Sequence, residues 1–253
     1  MIKILVAEDY LFNQIILQRY FKKLDYSFVI CNNGSDAIKE LKENDFDIVL
    51  MDIEMPIMGG IEAVTYIRTV LNTEKKSIPI LALTGHHDEN YFKELRIIGF
   101  NDFILKPIDK DDLVRKIHTN LKIEESNKEI EVTNESENLN AECVINLDYL
   151  NEFAQGDKEF ITEMIDLFLV HAPNFIENIK TGYAENDWEK LRYNAHKFSP
   201  QLAFFGLKAI ILNIDMIEDY AVKKLPIEGF DEIINKVETN CNKAIQQLKE
   251  ITI

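Results

Sequence analysis

Apolar and polar positions along this 253-residue chain follow two regimes. In the first, short runs of large or β-branched apolar residues each give way to a stretch with apolar residues three and four apart. The runs cover 2–7, 27–31, 47–51, 78–83 and 102–105, with the length and composition of strands buried on both faces. Between them the spacing predicts helices. Phe12, Ile15, Ile16, Arg19, Tyr20 and Leu24 share one face. Asn33-Gly34 turns the chain, and Ser35 or Asp36 is placed to cap a helix reaching about Glu43. Ile61, Val64, Ile67 and Leu71 mark the next; residues 91–98, stopping at Gly99, and 111–121 complete the set. Strands alternating with helices five times predict a doubly wound α/β domain over 1–123, a parallel sheet covered on both faces.

The pattern then changes. Residues 124–142 hold seven glutamates, one lysine, several Asn and Ser and very few apolar positions, so 124–143 reads as a solvated acidic linker. Beyond it strand alternation is absent. Helices are predicted over 148–154, 158–183, 188–205, 209–222 and 231–251, with Pro173 expected to bend or interrupt the second. Asn186 or Asp187 is placed to cap the third, whose apolar stripe is Trp188, Leu191, Ala195, Phe198, Leu202 and Phe205. Residues 144–253 are therefore expected to form an all-α antiparallel bundle.

Charge narrows the function classes. A net charge of −16, from 44 acidic and 28 basic residues, repels phosphate backbones and argues against nucleic-acid binding. Cys31, Cys143 and Cys241 are scattered and show no CxxC spacing, as expected of reduced thiols in a cytoplasmic protein. No apolar run approaches the roughly 20 residues that cross a bilayer, and the N-terminus does not read as a signal peptide.

The polar residues of the first domain fall where its strands end. Glu8 and Asp9 follow the first, Asp52 the third, Thr84 the fourth and Lys106 the fifth. In an open parallel sheet these share the carboxyl edge, where ligands bind. Three converging carboxylates repel one another, and a hard divalent cation such as Mg²⁺ relieves that repulsion. With a lysine and a hydroxyl beside them, the set suits an aspartate that accepts a phosphoryl group.

These residues carry a resemblance. The pair Glu8-Asp9, Asp52 within Met51-Asp-Ile-Glu-Met-Pro-Ile-Met-Gly59, Thr84-Gly85 and Lys106-Pro107 resemble, in order, the receiver domain of two-component response regulators. The resemblance implies a flavodoxin-like fold with strand order 2-1-3-4-5 and Mg²⁺-dependent phosphorylation of Asp52. It implies a metal held by Glu8, Asp9, Asp52 and the backbone carbonyl of Glu54, with Thr84 and Lys106 on the phosphoryl oxygens. Glu54 and His86 fill positions that influence dephosphorylation in the family. The chain departs from it at Gly59, often Asp, and at Phe103, often Tyr.

In the second domain, Tyr193-Asn-Ala-His196-Lys-Phe-Ser-Pro-Gln-Leu-Ala-Phe-Phe-Gly206 is similar to the signature of histidine phosphotransfer (HPt) domains. That makes His196, with Arg192, Tyr193, Ser199 and Pro200 about it, the phosphoryl-accepting imidazole. The family usually has Lys where Ser199 stands and often Gly at Pro200, and Lys197, Arg192 and Lys208 are the candidates for the missing cation. His171, beside Pro173, reads as an ordinary surface histidine. No Walker lysine motif or glycine-rich nucleotide loop is present. The expectation is a phosphorelay protein, free-standing or the C-terminal part of a hybrid sensor kinase, whose partners are a sensor histidine kinase and other receiver or HPt domains. An adaptor in which His196 is idle is the alternative. A haloacid-dehalogenase-type phosphatase is disfavoured because Glu54 stands where that class needs Asp.

Overall fold

The computed structural model describes residues 1–85, 88–123 and 145–251. His86, His87, Cys143 and the 124–143 segment expected to be a linker lie outside the described residues. The chain divides into two compact units, Met1–Glu131 and Val132–Ile253.

In the first unit, β1 (Lys3–Ala7), β2 (Ser27–Cys31), β3 (Ile48–Asp52), β4 (Ile80–Thr84) and β5 (Asp102–Leu105) form one sheet, ordered β2-β1-β3-β4-β5. Every pairing is parallel. The helices are α1 (Leu11–Lys23), α2 (Gly34–Glu43), α3 (Gly60–Val70), a single-turn α4 (Thr73–Lys76), α5 (Glu89–Ile98) and α6 (Lys110–Leu121). β3 and β4 are buried at every position, as central strands covered on both faces must be. Leu5, Ala7, Val49, Met51, Ile80 and Ala82 face one core with Ala37, Leu41, Ala63, Val64, Ile67 and Leu95 of α2, α3 and α5. Strand alternation sends Ile4, Val6, Ile48, Leu50, Leu81 and Leu83 to the opposite face.

Several boundaries differ from the sequence reading. β3 and β4 run on to include Asp52 and Thr84, because ladder pairing uses backbone groups and is indifferent to side-chain polarity. The cap of α2 is Asn33 rather than Ser35 or Asp36. Its side chain accepts from the Asp36 amide at 2.9 Å and donates to the Asp36 carboxylate at 2.7 Å, so both ends of the cap's side-chain amide are tied to one residue. The short α4 has no apolar periodicity to announce it and rests on a cap, the Asn72 side chain accepting from the Lys75 amide at 3.0 Å.

The second unit contains α7 (Asp148–Ala154), α8 (Lys158–Ala184), α9 (Trp188–Phe204), α10 (Lys208–Lys223) and α11 (Phe230–Ile251). α9 packs between α8 and α10, and α11 also touches both. α8 runs unbroken through Pro173, and α9 through Pro200. The hydrogen bond that Pro173 cannot give to Leu169 is outweighed by flanking burial of Phe168, Ala172, Phe175 and Ile176. Asp187 caps α9, accepting from the Lys190 amide at 3.0 Å. Gly206 ends it with φ of 68°, and a Cβ there would stand 2.7 Å from that of Asn146. Glycine is thus required for conformation and for close approach.

Candidate functional site

The sheet register builds the first site. Ala7 pairs with Met51, Asp52 with Leu83 and Thr84 with Leu105. The residues that end or follow these strands, Glu8, Asp52, Thr84 and Lys106, therefore meet on one edge. The Lys106 amide donates to the Thr84 carbonyl at 2.7 Å. Its Nζ lies 2.9 Å from Glu8 Oε2 and 2.9 Å from Asp52 Oδ1, and all three side chains are buried. Backbone ties fix the carboxylates. The Tyr10 amide donates to Glu8 Oε1 at 3.1 Å, and the Glu54 amide reaches Asp52 Oδ1 at 3.4 Å. Gln14 Nε2 donates to the Glu8 carbonyl at 2.5 Å and to Asn32 Oδ1 at 2.8 Å, joining α1 to the β1 and β2 edges. Sequence reading passed over Gln14, since a polar residue on a helix carries no mark of its partner.

The β3–α3 connection is held at both ends. The Gly60 amide donates to the Ile53 carbonyl, and the Gly34 amide to that of Met58, each at 2.9 Å. A Cβ at Gly60 would stand 2.2 Å from the Asp52 carbonyl oxygen. Only glycine lets α3 begin so close behind the acidic residue.

Ligand atoms of Glu8, Asp9 and Asp52 lie within 4.8 Å of one another. One lysine among three carboxylates leaves two negative charges, and oxygen-only donors at this separation fit Mg²⁺. Glu8, Asp9 and Asp52 are the residues that would hold it. Phe103 stacks on Phe92 with centroids 3.7 Å apart, and Lys116 Nζ lies 5.0 Å from its centroid. Its ring is packed although the hydroxyl of a tyrosine is absent.

In the second unit His196 lies on α9 with Nδ1 2.8 Å from Glu218 Oε1 on α10. A carboxylate only accepts, so Nδ1 carries a proton, and in the neutral ring Nε2 then holds the lone pair. Ser199 Oγ donates to Asp215 Oδ1 at 2.8 Å. Lys197 Nζ is 5.7 Å from the Tyr193 ring centroid. The sequence did not reveal Glu218, which lies 22 positions from His196 and meets it only through the α9–α10 packing. His171 sits on α8 edge-on to Phe175, with centroids 6.3 Å apart, and burial lowers its pKa.

Residues 4–118 match the response regulator receiver domain; the first unit is thus a receiver domain of two-component signalling. The CAI-1 autoinducer sensor kinase/phosphatase CqsS of Vibrio cholerae is 37% identical over 115 residues, 46% of this chain and 17% of that protein. The sensory/regulatory protein RpfC of Xanthomonas campestris is 24% identical over 82% of this chain and 29% of its own length. The sensor histidine kinase GacS of Pseudomonas protegens is 25% identical over 81% of this chain and 23% of its own. The chain thus spans under a third of these relatives. Among solved structures, the magnesium-bound receiver domain of sensor histidine kinase PA1611 from Pseudomonas aeruginosa is 26% identical. It covers 47% of this chain and 97% of that one, with a TM-score of 0.44.

Proposed function

We propose that the chain is a phosphorelay protein that accepts a phosphoryl group on Asp52 and relays phosphoryl groups through His196. Lys106 carries the first half of this reading: its Nζ sits 2.9 Å from both Glu8 and Asp52. A buried lysine serving two carboxylates, with a third beside them, is costly as a merely structural device. It suits a site built to receive a dianion. Bound Mg²⁺ would supply charge neutralisation for the incoming oxygens. The chain's own residues do the rest. A carboxylate oxygen of Asp52 attacks phosphorus in line with the departing group, Lys106 balances the charge that accumulates, and the Thr84 hydroxyl donates to a phosphoryl oxygen.

For His196, support comes from the Glu218 contact and from the reach of the relatives. The alignments with RpfC and GacS cover 82% and 81% of the chain and so extend well past residue 118. Glu218 holds the ring with Nε2 as the nucleophile, the role a carboxylate plays toward any catalytic imidazole. The donor is a sensor histidine kinase or another HPt domain, and the recipient a further receiver. A small phosphodonor with Mg²⁺ tests the acceptor: it should label the wild-type 1–123 segment and leave Asp52→Asn unlabelled. Equal labelling of that variant would place the acceptor elsewhere.

A further inference from the structure

A second polar pair stands beside His196. Ser199, one turn along α9, donates to Asp215 Oδ1 at 2.8 Å, and Asp215 lies one turn before Glu218 on α10. The two pairs step three residues forward on one helix and three back on the other, so both belong to one antiparallel seam. One carboxylate thus meets the histidine itself, and a second meets α9 one turn along. The Ser199 hydroxyl has its single proton directed at Asp215, away from any group on the imidazole.

Resting on the reading of His196 as a phosphoryl carrier, we propose that Asp215, held by Ser199, sets the transfer equilibrium of His196. It disfavours the phosphorylated imidazole and biases the relay toward giving the group up. In the forward step the Nε2–P bond breaks as an acceptor carboxylate forms its O–P bond. The nitrogen keeps the electron pair, and Nδ1 keeps its proton toward Glu218, so no proton need move. The phosphoryl group leaves behind the repulsion between its negative oxygens and Asp215.

Asp215 is exposed, so its field acts through a high dielectric. Unit charges about one helical turn apart still shift an equilibrium about fourfold under those conditions, and salt screens the effect. Asp215→Asn isolates the charge, because its amide oxygen still accepts from Ser199.

The full chain is loaded with a small phosphodonor and Mg²⁺, the donor is removed, and the ratio of alkali-stable to alkali-labile label is followed to its plateau. At low salt Asp215→Asn should raise that ratio about fourfold. The difference should shrink at about 0.5 M salt, and Asp215→Glu should restore the wild-type ratio. An unchanged ratio, or a change that persists at high salt, overturns the proposal. If wild type gives alkali-labile label but none that is alkali-stable, and no other receiver of the same cell loads the histidine either, His196 carries nothing and the proposal falls with that reading. That outcome is distinct from a ratio that does not respond to Asp215.

Discussion

Lys106 and Asp52 show how function and stability pull apart at single residues. The cluster holds three carboxylates against one lysine, so removing either sign has opposite effects. Asp52→Asn relieves repulsion and should raise stability by about 1 kcal/mol in metal-free buffer. Lys106→Met removes the counter-charge of two buried carboxylates and should cost about 3 kcal/mol. Urea melts of the two variants check the pair, and a destabilised Asp52→Asn would contradict the charge argument. Cys31, which ends β2, makes a second case. Burial first, then Glu40 and Asp36, push its thiol up to about 11. The unfolded thiol ionises about two units lower. From roughly pH 9 to 11 the unfolded state therefore binds fewer protons than the native one, and stability falls as pH rises. Cys31→Ser should flatten that alkaline limb in melts taken across the same range, and an unchanged limb would assign it to other groups.

At the scale of elements, Arg68 ties one end of the first unit together. Its guanidinium donates to the Gly99 carbonyl at 2.9 Å, the Lys76 carbonyl at 2.5 Å, the Ile78 carbonyl at 2.9 Å and Asn101 Oδ1 at 2.9 Å. One side chain thus anchors α3, the start of β4 and the turn after α5. Gly99, with φ of 123°, passes so close that a Cβ would stand 2.7 Å from Arg68 Cγ. Gly99→Ala should cost about 2–3 kcal/mol, combining a disfavoured φ with a displaced clamp. Thermal melts check this, and a loss below about 0.5 kcal/mol would mean the turn relaxes freely. The sequence showed Gly99 as a helix stop but gave no sign of Arg68's role. Helix stops and strand runs are local, while a guanidinium reaching four acceptors is a product of the tertiary fold. The same division explains the sites. Glu8, Asp9, Asp52, Thr84 and Lys106 were legible because parallel strands carry their last residues to one edge. Glu218 and Asp215 were not, because helix-to-helix register is set by packing. Asn33 was overlooked as a cap because an Asn-Gly pair reads first as a turn, and Pro173 does not interrupt α8 because burial along that helix outweighs the bond that it omits.

For the whole molecule, a receiver domain precedes a helical unit whose histidine is held by a carboxylate. Among the described residues no helix is long and apolar enough to cross a membrane. A net charge of −16 keeps the surface averse to polyanions. The central claim is that phosphate resides on both Asp52 and His196 in one working cycle, and bond chemistry separates the two. An acyl phosphate on Asp52 is cleaved by hydroxide or hydroxylamine at its carbonyl. A phosphoramidate on His196 survives alkali and is lost in acid once the ring nitrogen is protonated. The most direct measurement follows label entering the intact chain from a receiver-specific donor and partitions it by alkali and acid stability over time. The label should begin alkali-labile and then acquire an alkali-stable, acid-labile fraction. His196→Gln should remove only that second fraction, and Asp52→Asn both. A stable fraction that never forms, from the chain's own receiver or from any other receiver of the same cell, would contradict the relay and leave a phosphorylation-switched adaptor in its place.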